Sequence, residues 1–189
     1  EKLDGDLWLS CTSPLKHSPH SRLGLQRPQV VNAINQLMRS NGVWKGASTD
    51  GSGFVSACRH IGIEPSGSIL RMRGGGSAAR SIAAAWSSEG GSIIPEIGRR
   101  KLVRGPWASS ILESGNADIS IDLDSAPAGG ESVELESDIQ VSISYDESSS
   151  KSEFAIIMLA AQHLEAWHSL FAPKDEKIIP NLEDVLPHL

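Results

Sequence analysis

The residues best suited to chemistry in this chain are a glycine run and the basic cluster that follows it. Gly74-Gly75-Gly76-Ser77-Ala78-Ala79 fits G-x-G-x-x-A and lies between the aliphatic run Ile69 to Arg73 and the small-residue stretch Ser77 to Trp86. In a strand–turn–helix setting the first glycine permits a tight turn. The second lets backbone N–H groups approach a pyrophosphate, and the small third position lets helix and strand pack closely. The helix N-terminus adds positive partial charge toward the phosphates. That chemistry is dinucleotide binding, although a glycine triplet alone is also an ordinary loop.

Two features bear on which dinucleotide such a turn would take. Arg99, Arg100 and Lys101, with Arg104 nearby, follow the second aliphatic run, where a ribose 2′-phosphate would lie. Guanidinium forks suit that dianion. Against this, Glu96 stands about 20 residues after the glycine turn, the spacing of a ribose-binding acid in NAD enzymes. Three consecutive basic residues favour NADP.

The elements that must position these groups follow from patterning. Leu7 to Leu9 reads as a strand running into a polar loop, and His17 to Arg27 has too little periodicity to place. Val30 to Arg39 has helical propensity, yet Ser40-Asn41-Gly42-Val43-Trp44 carries the Asn-Gly signal of a primed hairpin turn. Two strands around that turn are expected. A helix is expected from Phe54 to His60, then strands at Ile69–Arg73, Ile93–Ile97, Asp118–Leu123 and Ile139–Tyr145. Ser148 to Ser150 reads as a loop, and Phe154 to Phe171 as the strongest helix. Alternating strands and helices argue for a parallel α/β sheet. Arg71 and Arg73 are at odds with a central strand, where both faces are normally apolar.

Bulk properties narrow the class. The 189 residues carry 17 Lys+Arg against 23 Asp+Glu, a net charge of −6, which argues against a duplex nucleic-acid binder. The two cysteines, Cys11 and Cys58, fit a reducing compartment. The charged start, Glu1 to Asp6, shows no leader, and no apolar run reaches bilayer length. A cytoplasmic protein acting on a small molecule, without nucleic acid, membrane or metal partners, is expected. The six histidines show no metal-ligand spacing.

Ser10 to Lys16, Val31 to Ile34, Ser48 to Phe54, Gly74 to Arg80 and Met158 to Gln162 form an ordered series of short motifs, and that series resembles the shikimate dehydrogenase family. Ser10-Cys11-Thr12-Ser13-Pro14-Leu15-Lys16 is similar to N-V-T-x-P-x-K, and Val31-Asn32-Ala33-Ile34 to A-V-N-T. Ser48-Thr49-Asp50-Gly51-Ser52-Gly53-Phe54 is similar to N-T-D-x-x-G-F, and Gly74 to Arg80 to G-A-G-G-A-A-R. Gly98-Arg99-Arg100 takes the place of N-R-T. Ala126 to Gly129 and Ile143-Ser144-Tyr145 resemble two later segments near the nicotinamide. Met158-Leu159-Ala160-Ala161-Gln162 matches M-L-x-x-Q.

The resemblance implies a catalytic pair, Lys16 and Asp50, with Thr12, Asn32, Tyr145 and Gln162 binding substrate. It assigns NADP to Gly74, Gly75, Gly76, Ser77, Ala78, Arg99, Arg100, Lys101, Ile143 and Ala155. The implied reaction is NADPH-dependent reduction of 3-dehydroshikimate to shikimate, in aromatic amino-acid biosynthesis, by a monomer or homodimer. The implied fold is a Rossmann-like parallel sheet over residues 54–150. Residues 1–53 would form a partial substrate lobe, and 151–189 a helix returning to it, followed by a tail. Departures are Ser10 and Ser48 for asparagine and Ala155 for glycine, and no counterpart of the family's N-terminal S-x-S lobe is found. An NAD-linked quinate/shikimate paralogue and a non-catalytic dinucleotide-binding remnant are the alternatives.

Overall fold

The computed structural model describes residues 5–26, 31–124, 133–144, 149–171 and 179–189, of which 149–152 are described by their backbone alone. Strands β1 (Leu7–Ser10), β2 (Gln36–Ser40) and β3 (Val43–Ala47) form an antiparallel sheet in that order, with helix α1 (Pro19–Leu23) between β1 and β2. The β2–β3 hairpin is the one expected. Asn41 and Gly42 both take positive φ, +50° and +76°, and Ser40 pairs with Val43. A type I′ turn requires that conformation at both central residues, and its twist matches that of the strands it joins.

Helix α2 (Asp50–His60) leads into the second sheet, built from β4 (Ile69–Arg73), β5 (Ser92–Glu96), β6 (Ile119–Asp122) and β7 (Ile139–Val141). Its order is β5-β4-β6-β7 and every pairing is parallel. Helix α3 (Ser77–Ser88) connects β4 to β5. Helix α4 (Ser149–Ala166) continues as a wider π-helical turn over Trp167–Phe171, and α5 (Leu182–Val185) is followed by a 3-10 turn over Leu186–His188. The fold is the expected α/β architecture with a parallel sheet.

The arginines of β4 are accounted for by strand periodicity. Leu70 and Met72 are fully buried and join Phe54, Trp86, Ile119 and Phe154 in one core. Arg71 and Arg73 point to the opposite face of the pleat. There Arg71 Nη1 donates to Glu96 at 2.7 Å, and Arg73 Nη1 to Asp122 at 3.1 Å. Arg71 also donates to the carbonyls of Glu136 and Gly115. Each guanidinium therefore has a carboxylate partner, the condition under which a half-buried charge is tolerated.

Two helices begin earlier than their sequence suggested. α2 starts at Asp50 rather than Phe54, because Gly51 and Gly53 are contact positions and not breakers. A Cβ at Gly51 would overlap the Ser81 carbonyl of α3, and one at Gly53 would overlap Gln162 of α4. α2 thus packs closely against both neighbours. α4 starts at Ser149, inside the serine run read as a loop. The unplaced His17 to Arg27 stretch contains α1, and β7 is shorter than expected, ending at Val141.

α4 links the two sheets. Phe154, Ile157 and Met158 enter the large core, while Ala166 and Leu170 join Met38 and Trp8 in a smaller one. Gly53→Ala is expected to destabilise the protein by about 1–3 kcal/mol, the range for overpacking a tight contact. Urea unfolding of that variant beside wild type measures it, and an unchanged midpoint would contradict the close-packed α2–α4 contact.

Candidate active site

One cleft of about 670 Å³ lies where the two sheets meet. From the antiparallel side, the end of β1 and the following loop contribute Ser10, Cys11, Thr12, Ser13, Lys16 and His17. The Ser13–Pro14 peptide is cis, and a 3-10 turn over Leu15–His17 carries Lys16 inward. Asn35 and Gln36 come from the start of β2, and Asp50 from the first turn of α2.

Lys16 and Asp50, distant in sequence, are direct partners. Lys16 Nζ donates to both carboxylate oxygens, at 2.9 and 2.7 Å, and the two side chains are 14% and 5% exposed. Two of the three ammonium hydrogens are thereby used, and the third has no acceptor among the described residues. Asn35 Nδ2 donates to Asp50 Oδ1 at 3.2 Å and to Thr49 Oγ1 at 3.1 Å, while its Oδ1 accepts from the Thr49 N–H at 2.7 Å. The Gly51 N–H donates to Ser81 Oγ of α3 at 2.9 Å. The N–H groups of Thr49, which caps α2, and of Gly51 are thus satisfied by side chains from two other elements, and Asp50 sits in the first turn at the positive end of the helix.

α4 forms a second wall with Ala155, Met158, Leu159, Gln162 and His163. His163 donates through Nδ1 to the Leu159 carbonyl at 2.8 Å, which leaves Nε2 facing Ser10 Oγ at 3.1 Å. The single Ser10 hydroxyl hydrogen has Gln36 Oε1 as a second acceptor within reach, at 3.2 Å, an oxygen that also accepts from Trp8 Nε1. Burial pushes the Cys11 thiol up, with the Lys16 ammonium opposing. Cys11 is therefore a poor nucleophile, since the thiolate is the reactive form.

The parallel side supplies Gly76, Ser77, Ala78 and Ala79 at the start of α3, then Arg99, Arg100, Leu123, Asp124 and Ile143. The glycine turn connects β4 to α3 as the motif requires. Gly74 takes φ +113°, a conformation that L side chains rarely adopt, and Gly76 faces open space. Gly75 lies behind the cleft, where a Cβ would overlap the backbone of Lys101. A dinucleotide phosphate fits this place: the Gly76 backbone is unobstructed and the helix N-terminus faces the opening.

Of the residues singled out in the sequence, Thr12, Lys16, Asp50, Gly76, Ser77, Ala78, Arg99, Arg100, Ile143, Ala155 and Gln162 line this one cleft. Gly74, Gly75 and Lys101 stand behind it. Tyr145 and Ala126–Gly129 lie outside the described residues.

Asn32 is a correction. It takes φ +56°, its side-chain oxygen is buried without a partner among the described residues, and it does not reach the cleft. The asparagine that does is Asn35, and the A-V-N-T pattern is met three residues later by Ala33-Ile34-Asn35-Gln36. Placement at the mouth of β2 was the missed signal. Glu96 is engaged by Arg71 outside the cleft, so it does not stand as the ribose acid. Asp124 and His163 carried no sequence signal.

No family model matches the chain. Shikimate dehydrogenase (NADP(+)) of Rubrobacter xylanophilus is 41% identical over 58 residues, covering 30% of this chain and 20% of that protein. Its counterpart in Bordetella petrii is 31% identical over 98 residues, covering 50% and 34%. The crystal structure of shikimate 5-dehydrogenase from Thermus thermophilus, in complex with NADP(H) and shikimate, superposes with a TM-score of 0.66 at 18% identity. That superposition covers 93% of this chain and 75% of that one. The chain has the shikimate dehydrogenase fold. It spans a third or so of the length of these curated relatives at most, 34% for the Bordetella protein.

Asn35→Ala removes the acceptor for the Thr49 N–H and a donor to Asp50, and is expected to cost about 1–3 kcal/mol. Asn32→Gly keeps the positive φ accessible and is expected to stay within about 0.5 kcal/mol of wild type. Chemical denaturation of the two variants tests the assignment, and the reverse ranking would restore Asn32.

Proposed function

We propose that this cleft is the active site of an NADP-dependent shikimate dehydrogenase, interconverting 3-dehydroshikimate and shikimate in aromatic amino-acid biosynthesis. The observation that carries this reading is the Lys16–Asp50 pair, 2.7 Å apart, in the cleft that the glycine turn and Gln162 also line. When bound, the nicotinamide cofactor supplies the hydride to the carbonyl carbon.

Lys16 supplies the proton. Its ammonium stabilises negative charge developing on the carbonyl oxygen and then donates a hydrogen to it. Asp50 fixes the ammonium in place, and Asn35 fixes Asp50. In the reverse direction neutral Lys16 accepts the hydroxyl proton while Asp50 holds the amine in position. Thr12, Asn35 and Gln162 offer donors and acceptors to a polyhydroxylated ring. A site built of such groups penalises substrates that leave them unpaired. Tyr145 belongs with them on its resemblance alone.

The basic pair Arg99 and Arg100 supports NADP, and the NAD-linked reading loses its main argument with Glu96 bound to Arg71. Arg80 adds positive character behind Arg100. Among the described residues its guanidinium donates to the carbonyls of Val31 and Gly75, and burial, with the Arg100 charge, lowers its pKa. Among the described residues no helix is long and apolar enough to cross a membrane. With Cys11 and Cys58 both free, a cytoplasmic setting is our reading.

Lys16→Ala is expected to lower kcat for shikimate-dependent NADP reduction by about 10²–10⁴-fold, the usual range for a lost acid–base group. The Michaelis constant for NADP should stay within about twofold, since Lys16 is placed at the proton and not at the cofactor. Steady-state kinetics decides it. Wild-type protein that binds NADP yet shows no shikimate-dependent turnover would defeat the proposal.

A further inference from the structure

We propose that Asp124 sets the cofactor preference of this cleft by serving as a resident counter-anion for Arg99. The inference rests on the dinucleotide reading above and assigns a residue that carried no sequence signal.

Asp124 follows β6, and its carboxylate is 10% exposed. It spans the ends of three strands. Oδ1 lies 3.2 Å from where a Gly74 Cβ would stand, and a Cβ at Gly98 would overlap Oδ2. Oδ2 accepts from the Arg99 backbone N–H, and Oδ1 lies 3.7 Å from Arg99 Nε. Arg99 Nη2 donates to the Asp124 carbonyl at 3.1 Å. The Asp124 N–H in turn donates to Asp122 Oδ1 at 2.9 Å, and Asp122 is the carboxylate paired with Arg73. Asp124 is therefore held by the sheet, whereas the Arg99 side chain it engages is 75% exposed.

The consequence is electrostatic. A 2′-phosphate recruited to Arg99 has to draw the guanidinium away from Asp124 and then sit near that fixed negative charge. A ribose with a free 2′-hydroxyl meets no such repulsion, and a hydroxyl can donate to a carboxylate. Arg100 has no carboxylate partner among the described residues and attracts the phosphate without competition. Asp124 thus narrows the margin by which the basic pair favours the phosphorylated cofactor. Preference becomes a contest between one uncommitted arginine and one already engaged.

The test uses the whole chain with two probes that differ by one phosphate, 2′,5′-ADP and 5′-AMP, in equilibrium titrations at low ionic strength. Asp124→Asn keeps an acceptor for the Arg99 N–H and removes the charge. It is expected to tighten 2′,5′-ADP by about three- to ten-fold, the scale of a partly exposed ion pair, and to leave 5′-AMP within about twofold. In an Arg99→Gln background the same substitution should give no gain, because the two effects share one interaction. If Asp124→Asn does not fold, Asp124→Ser is measured in its place. An equal change for both probes, no change, weaker 2′,5′-ADP binding, or a gain that survives without Arg99 overturns the proposal while the dinucleotide reading stands. Wild-type protein that binds neither probe overturns that reading, and this one with it.

Discussion

A buried carboxylate governs this structure. Asp50 is 3% exposed, and an ionised carboxylate that far from water is tolerated only when opposite charge and hydrogen bonds surround it. Three sources supply them: the Lys16 ammonium, the Asn35 amide and the positive end of α2. They come from the loop after β1, the start of β2 and a helix of the other layer. Meeting the needs of one charge therefore fixes how the antiparallel sheet sits against the first helix of the parallel one. The same convergence places an ammonium group at the cleft, so the contacts that hold the fold also shape the candidate site.

The width of that cleft is set by residues without side chains. Gly51 lets α2 approach the backbone of α3, and Gly53 lets it approach α4 at Gln162. Ser81 uses the first of these approaches to cap the Gly51 N–H. Because Asp50 begins α2 and Gln162 belongs to α4, the α2–α4 spacing is also the spacing between the Lys16–Asp50 ion pair and the opposite wall. A methyl group at either glycine would act on the site through distance, with no polar contact changed.

Much of this was legible in the sequence, and the reasons are specific. The Asn41-Gly42 turn and the strand–glycine–helix motif are local signals, and each fixes backbone geometry within a few residues. Lys16, Asp50 and Gln162 were legible only as members of an ordered series of motifs, since none has a distinctive neighbourhood alone. What escaped depended on tertiary partners. Gly51 and Gly53 resemble helix breakers until the neighbouring helices are in place. Arg71 and Arg73 look misplaced until the pleat turns them toward Glu96 and Asp122. Asn32 and Asn35 offer the same amide three residues apart, and only the register entering β2 separates them.

The two ends of the cleft handle charge in opposite ways, and this bears on what can occupy it. At the β1 end the Lys16 ammonium is already paired with Asp50, so a neutral group can approach it without displacing a counter-ion. At the other end cations outnumber their anions: Arg100 and Arg80 have no carboxylate partner among the described residues, and Arg99 shares one. Burial and the Arg100 charge lower the pKa of Arg80, and an anion placed near this end would oppose that effect. A neutral molecule would leave that end unsatisfied. On the function proposed above, this charge distribution would orient an elongated ligand with its phosphates toward α3 and the arginines and its other end toward Lys16.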